Sequence, residues 1–160
     1  MILDRVSADK KLRRMALEVA ERNADNTSLI LIGIRENGIH IARKIAAYLA
    51  QNFTGNLQVL ELWLDKKDPG EIKLSEEADF NGQSILLIDD VANSGRTMLY
   101  ALKPLLQYKP GQIETLALLE RTHKKFPVCV DYVGMSISTG LQENIVVDVE
   151  DGEITGARFG

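Results

Sequence analysis

The strongest constraint on this chain is the way short, unbroken apolar runs alternate with helix-spaced apolar patterns. Residues 28–33 (SLILIG) and 84–89 (SILLID) are brief runs bounded by polar turns. They are too short for a buried helix and lack the polar alternation of a half-exposed strand, so each reads as a parallel strand covered on both faces. Residues 113–119 read the same way, with further strands expected over 128–133 and 145–149 and a β-prone stretch over 57–64. Leu12, Met15, Ala16, Val19 and Ala20 recur at helical spacing and predict a helix over 8–23. Ile39, Ala42, Ile45, Ala46 and Leu49 predict another over 39–51, and a third is expected over about 96–108, where Pro104 kinks or splits it. Asp151-Gly152 signals a hairpin into a last strand over 153–158.

This order predicts a single α/β domain of 160 residues with a mainly parallel sheet flanked by helices. The C-terminal hairpin is expected to add an antiparallel edge to that sheet. Sheets of this kind bind ligands at the carboxyl ends of their strands. The polar ends to inspect are therefore 34–38, 65–83, 89–97, 120–127 and 134–144.

Charge and cysteine content remove several classes of function. With 19 Lys plus Arg against 23 Asp plus Glu, a net charge of −4 argues against holding nucleic acid mainly through backbone phosphates. The lone Cys129 excludes an intrachain disulfide and a cysteine metal site, and fits a reducing compartment, so a cytoplasmic location is expected. No uninterrupted apolar run reaches membrane-spanning length, so no membrane contact is expected. GIRENG offers only Gly33 and Gly38 where a dinucleotide site needs G-x-G-x-x-G, and no P-loop motif occurs. A phosphatase of the aspartate-nucleophile kind needs a second Asp two residues on from the first, where this chain has Val91.

The most informative segment is 85–97, ILLIDDVANSGRT. Two carboxylates, Asp89 and Asp90, end a buried strand, and a small polar loop with one glycine then opens a helix. Amides at a helix start and the hydroxyls of Ser94 and Thr97 suit a phosphate, with Arg96 adding charge. Two carboxylates beside a phosphate suit sugar hydroxyls or a divalent cation. Together they point to a sugar phosphate, against a plainer reading as helix capping with solvated charge.

ILLIDDVANSGRT resembles the phosphoribosyl pyrophosphate signature of type I phosphoribosyltransferases. Residues 28–46 (SLILIGIRENGIHIARKIA) and 117–140 (ALLERTHKKFPVCVDYVGMSISTG) resemble the pyrimidine-regulator and uracil branch of that family, and so does the start of the chain, with 50–83 the least similar part. The resemblance implies the type I fold with a small hood, a homo-oligomer (dimer or tetramer), and Mg²⁺ delivered largely with the diphosphate. It implies ribose contacts from Asp89 and Asp90, which are also indirect metal candidates, substrate contact from Val91, and a 5′-phosphate cradle over Ala92, Asn93, Ser94, Gly95, Arg96 and Thr97. Arg35, Glu36, Asn37 and Gly38 would hold pyrophosphate through amides, and Lys124 would touch it. Val133, Gly134 and Met135 would form the turn beside the base. Residues 65–80 would be a loop over the site, with no residue assigned a role.

The implied reaction is displacement of pyrophosphate from ribose C1 by a base nitrogen, with positioning, water exclusion and stabilisation of the leaving group supplying the catalysis. Asn93 stands where purine-salvage relatives carry an aspartate, and an amide cannot act as a general base. Glu120 stands where they carry a lysine that reads a carbonyl, and its negative charge is expected to repel one. Both favour uracil over hypoxanthine or guanine. Thr-Arg-Gly of the pyrimidine regulators is Glu36-Asn37-Gly38 here, and Met135, Leu141 and Asn144 replace lysines. RNA binding is therefore disfavoured, while a non-catalytic nucleotide sensor stays an alternative. His40 and His123 read as plain polar residues, Cys129 as a small buried hydrophobe, and Trp63 as packing.

Overall fold

The computed structural model describes residues 1–138 and 144–160. A short strand β1 (Leu3–Asp4) leads into α1 (Arg5–Arg22), followed by β2 (Ser28–Ile34), α2 (Gly38–Leu49), β3 (Asn56–Leu64), β4 (Ile72–Leu74) and β5 (Ser84–Ala92). Then come α3 (Arg96–Ala101), a single 3₁₀ turn (Leu105–Gln107), β6 (Gln112–Arg121), β7 (Tyr132–Ile137), β8 (Ile145–Glu150) and β9 (Glu153–Phe159). Six strands form the main sheet in the order β4-β3-β2-β5-β6-β7, parallel except for the β3–β4 pair.

The unbroken apolar runs are explained by burial on both faces. In β2, Leu29 and Leu31 enter one core cluster while Ile30, Ile32 and Ile34 enter another. In β5, Leu86 and Ile88 divide from Ile85 and Leu87 in the same way. The first cluster is closed by Ala8, Leu12, Met15, Ala16 and Val19 of α1 and by Ala42, Ile45 and Leu49 of α2. The second is closed by Phe80, Met98, Ala101 and Leu105. Asp4 caps α1, its Oδ1 accepting from the Ser7 amide at 2.7 Å, and that backbone bond holds the Asp4 carboxyl below its ordinary range.

Three expectations are corrected. The C-terminal hairpin does not extend the main sheet. It turns at Asp151-Gly152, both at positive φ, and pairs with β1 in a separate sheet of order β1-β9-β8. The antiparallel edge of the main sheet is β4 instead, with Leu62 opposite Leu74 and Leu64 opposite Ile72, inside the segment 65–80 expected to be a loop. The strand expected over 128–133 begins later, because Asp131 binds the flank of β6 first. Its Oδ2 accepts from the Thr115 amide at 2.9 Å and its own amide donates to the Thr115 carbonyl at 3.1 Å, so the ladder opens at Leu116–Tyr132. Cys129 consequently lies in an exposed loop rather than a strand core. The third helix divides as expected: α3 ends at Ala101, and the turn beyond Pro104 is 3₁₀.

Candidate functional site

The chain switches direction across the sheet between β2 and its neighbours β3 and β5, which leaves a crevice outside the carboxyl ends of β2 and β5. An open cleft of about 340 Å³ sits there, lined by Arg35, Glu36, Asn37, Leu64, Asp65, Lys66 and Asp90. Three elements build it: the turn after β2, the end of β3 and the acidic end of β5.

Asp89 and Asp90 occupy different environments despite being adjacent. The Asp89 side chain is 2% exposed, and its Oδ1 accepts from the Asp90 amide at 2.8 Å. Burial, reinforced by the Asp90 carboxylate, pushes the Asp89 carboxyl well above its ordinary range. Lys66 Nζ, 3.6 Å from Asp89 Oδ2, opposes that shift. Asp90 faces the cleft, its Oδ1 accepting from the Val91 amide at 2.7 Å. Gly38 lets α2 start directly against this pair: a Cβ there would stand 2.8 Å from the Ile88 carbonyl oxygen and 3.2 Å from Asp89 Oδ1.

The turn after β5 begins at exposed Asn93 and passes through Gly95, whose φ of 88° lies in the left-handed region, before α3 starts at Arg96. Ser94 closes it twice, with Oγ accepting from the Arg96 amide at 3.3 Å and its carbonyl accepting from the Lys125 and Phe126 amides at 3.0 Å. Arg96 Nη2 donates to the Lys67 carbonyl at 3.4 Å, so the segment after β3 reaches across to this turn. On the other side, Asn37 Nδ2 donates to the Val147 carbonyl of β8 at 3.0 Å, tying the turn after β2 to the small sheet. The Arg35 guanidinium lies over the Trp63 ring at 5.6 Å and 3.8 Å from Glu61 Oε1; the Arg35–Glu36 peptide is cis.

The structure thus brings Arg35, Glu36, Asn37 and Asp90 into one cleft, packs Gly38 beneath Asp89, and sets Ser94, Gly95, Arg96 and Thr97 in the adjoining turn. Val91 and Ala92 have their side chains in the two cores, leaving only backbone to a ligand. Lys124 lies against the turn at Gly95 and is ion-paired with Glu120. Glu120, neutralised there and also accepting from Ser136, is not the bare charge expected to repel a carbonyl. Val133, Gly134 and Met135 lie inside β7 rather than in a turn. Arg14 caps the carbonyls of Val133 and Gly134 at 2.7 and 3.1 Å, and Met135 borders a separate cleft with Lys10, Lys11 and Arg14. Leu141 falls outside the described residues. Lys66 and Asp65 were given no role from sequence, though their place at the carboxyl end of a parallel strand was a usable signal.

Among the described residues no group of three or more His, Cys, Asp or Glu gathers to hold a metal. The cleft does offer hard oxygen donors in Asp90 and Asp65, which suit Mg²⁺ carried in on a diphosphate with most of its waters.

The chain matches the phosphoribosyl transferase domain over residues 1–152. It belongs to the phosphoribosyltransferase family. Within that family it is 34% identical over 154 residues to the bifunctional protein PyrR of Streptococcus equi subsp. zooepidemicus, covering 93% of this chain and 89% of the relative. It is 30% identical over 155 residues to the pyrimidine operon regulatory protein of Lactococcus lactis, covering 94% and 90%. In fold it is similar to the hypoxanthine phosphoribosyltransferase of Trypanosoma cruzi, with a TM-score of 0.81 at 15% identity over 100% and 97% of the two chains. A hypoxanthine-guanine phosphoribosyltransferase of Bacillus anthracis superposes at 0.75 with 18% identity, over 99% and 96%. The architecture of this phosphoribosyltransferase is that of the type I enzymes, with a small second sheet beside the main one. No described helix is long and apolar enough to cross a membrane.

Proposed function

We propose that this phosphoribosyltransferase joins a free nucleobase, uracil in preference, to phosphoribosyl pyrophosphate and releases pyrophosphate. The observation that carries the reading is a crevice lined by the Asp90 carboxylate and the turn over Arg35–Asn37, with the Ser94–Thr97 turn beside it and linked to it by the bond from Arg96 to the Lys67 carbonyl. Ribose hydroxyls suit Asp90, the amides and hydroxyls of Ser94–Thr97 suit the 5′-phosphate, and the 35–38 turn with Lys66 suits the diphosphate. Asp89, sealed under Lys66, acts from below by fixing the Asp90 backbone. Mg²⁺ arriving with the diphosphate would supply charge neutralisation for the leaving group, and Asp90 and Asp65 of the cleft would be the residues to hold it. A dimer or tetramer in a reducing, cytoplasmic setting completes the reading, with light scattering the check on assembly.

Uracil rests on Asn93, which offers no general base, and on the PyrR relatives; the fold neighbours act on hypoxanthine and guanine. Nucleotide formation from a panel of uracil, hypoxanthine, guanine, adenine, xanthine and orotate tests the choice. Uridine monophosphate as the main product supports it, and a purine product keeps the transferase but overturns the base.

A second reading, a nucleotide-sensing regulator that also binds RNA, is favoured by one feature. Residues 5–14 of α1 carry Arg5, Lys10, Lys11, Arg13 and Arg14 against a single acid, Asp9, in a chain of net charge −4. Such a basic run can neutralise backbone phosphates locally. Filter binding of a pyrimidine-operon leader RNA, weakening steeply with salt, would support it; no retention at low salt would overturn it.

A further inference from the structure

The carboxyl end of β6 carries an ion pair that the cleft itself does not contain. Glu120 stands in register between Ala92 of β5 and Ser136 of β7. Its Oε1 is paired with Lys124 Nζ, and its Oε2 accepts from Ser136 Oγ at 3.0 Å. The two charged side chains are only 15% and 13% exposed, so the pair is largely removed from water, where attraction is stronger and a lone charge costly.

The lysine stem runs to the phosphate turn. Lys124 Cδ lies 3.6 Å from where a Cβ on Gly95 would stand. The backbone of the same loop is fastened to that turn through the Lys125 and Phe126 amides on the Ser94 carbonyl. A lysine left free would lose much rotamer entropy on meeting a ligand, whereas this one is ordered in the folded protein. Among the described residues one of its three N–H donors is taken, by Glu120, and the other two can serve an incoming anion.

We propose that Glu120, braced by Ser136, is a positioning residue that holds the Lys124 ammonium beside the Ser94–Thr97 turn, where it meets a phosphoryl group of the ligand. The inference rests on reading the crevice as a phosphoribosyl pyrophosphate site. It adds a residue that contacts no substrate and that acts through its partner.

Titration calorimetry with ribose 5-phosphate and, separately, inorganic pyrophosphate tests it on the full chain carrying Glu120→Gln, Lys124→Met and both together. Glu120→Gln is expected to weaken at least one ligand about tenfold, and the ligand affected tells which phosphoryl group the ammonium serves. The double variant should bind no more weakly than Lys124→Met alone, since Glu120 has nothing left to position. Ser136→Ala, a milder change that keeps the ion pair, should weaken the same ligand by a smaller factor. Unchanged binding of both ligands by Glu120→Gln, or the same fold loss in the Lys124→Met background, overturns the inference while leaving the crevice assignment standing. An unaltered protein that binds neither ligand overturns both.

Discussion

Asp89→Asn should separate stability from binding. The Asp89 carboxyl is buried beside a second carboxylate, and among the described residues its one nearby cation is Lys66 Nζ at 3.6 Å, on a side chain 46% exposed. A half-exposed ammonium at that distance contributes little, of order 0–1 kcal/mol. Leaving a charged group under-compensated in the interior costs about 1–3 kcal/mol. Asparagine keeps an oxygen to accept from the Asp90 amide and removes the charge, so a net gain of about 1–2 kcal/mol is expected, or roughly 2–8 °C in Tm for a domain of this size. The sign follows from linkage. A carboxyl raised by folding favours the native state while protonated, and that advantage is lost as pH rises from the unfolded value near 4 through the folded one. Thermal unfolding without Mg²⁺ at pH 4 and pH 7.5 should therefore show the variant close to the unaltered protein at the lower pH and above it at the higher, while phosphoribosyl pyrophosphate binding is largely kept, because the Asp90 backbone stays held. A variant less stable at pH 7.5, or a gap that does not change with pH, would refute the reasoning.

Three further outcomes are expected. Gly38→Ala forces a Cβ within 2.8 Å of the Ile88 carbonyl oxygen and 3.2 Å of Asp89 Oδ1, so denaturant unfolding should show a loss of about 2–3 kcal/mol together with weaker diphosphate binding. Tyr132→Phe removes the hydroxyl that donates to Glu114 Oε1 at 2.8 Å beneath the Arg22 guanidinium, and the same measurement should show about 1 kcal/mol lost with no change in binding. Lys66→Ala should weaken diphosphate binding in calorimetry and leave Tm within about 2 °C, because the half-exposed ammonium, 3.6 Å from Asp89, adds little to stability.

Much of the architecture is legible in the sequence because burial on both faces leaves only unbroken apolar runs, as at Leu29–Ile32 and Ile85–Ile88, and because α1 and α2 bury one stripe each. The crevice is legible for the same reason: strand ends locate it, and the 85–97 segment marks it. What the sequence hides are choices made between distant segments. Nothing local in Ile72–Leu74 says that it pairs with β3, and Val128 and Val130 look like strand residues until Asp131 takes the β6 flank. The hairpin turn is readable at Asp151-Gly152, but its partner β1 lies at the far end of the chain. Within the site, Asp89 and Asp90 look equivalent in sequence and are distinguished only by packing against Gly38 and Lys66. The charge of Glu120 is likewise readable in sequence, whereas its neutralisation by Lys124 is visible only in three dimensions.

The central claim is that the crevice at the carboxyl ends of β2 and β5 takes phosphoribosyl pyrophosphate. Calorimetric titration of that ligand with Mg²⁺ into the unaltered protein and into a variant carrying both Asp89→Asn and Asp90→Asn tests it most directly. Saturable binding to the first and its loss in the second, with the variant still folded, is the expected result. Equal binding by both proteins, or none by the unaltered one, would contradict it.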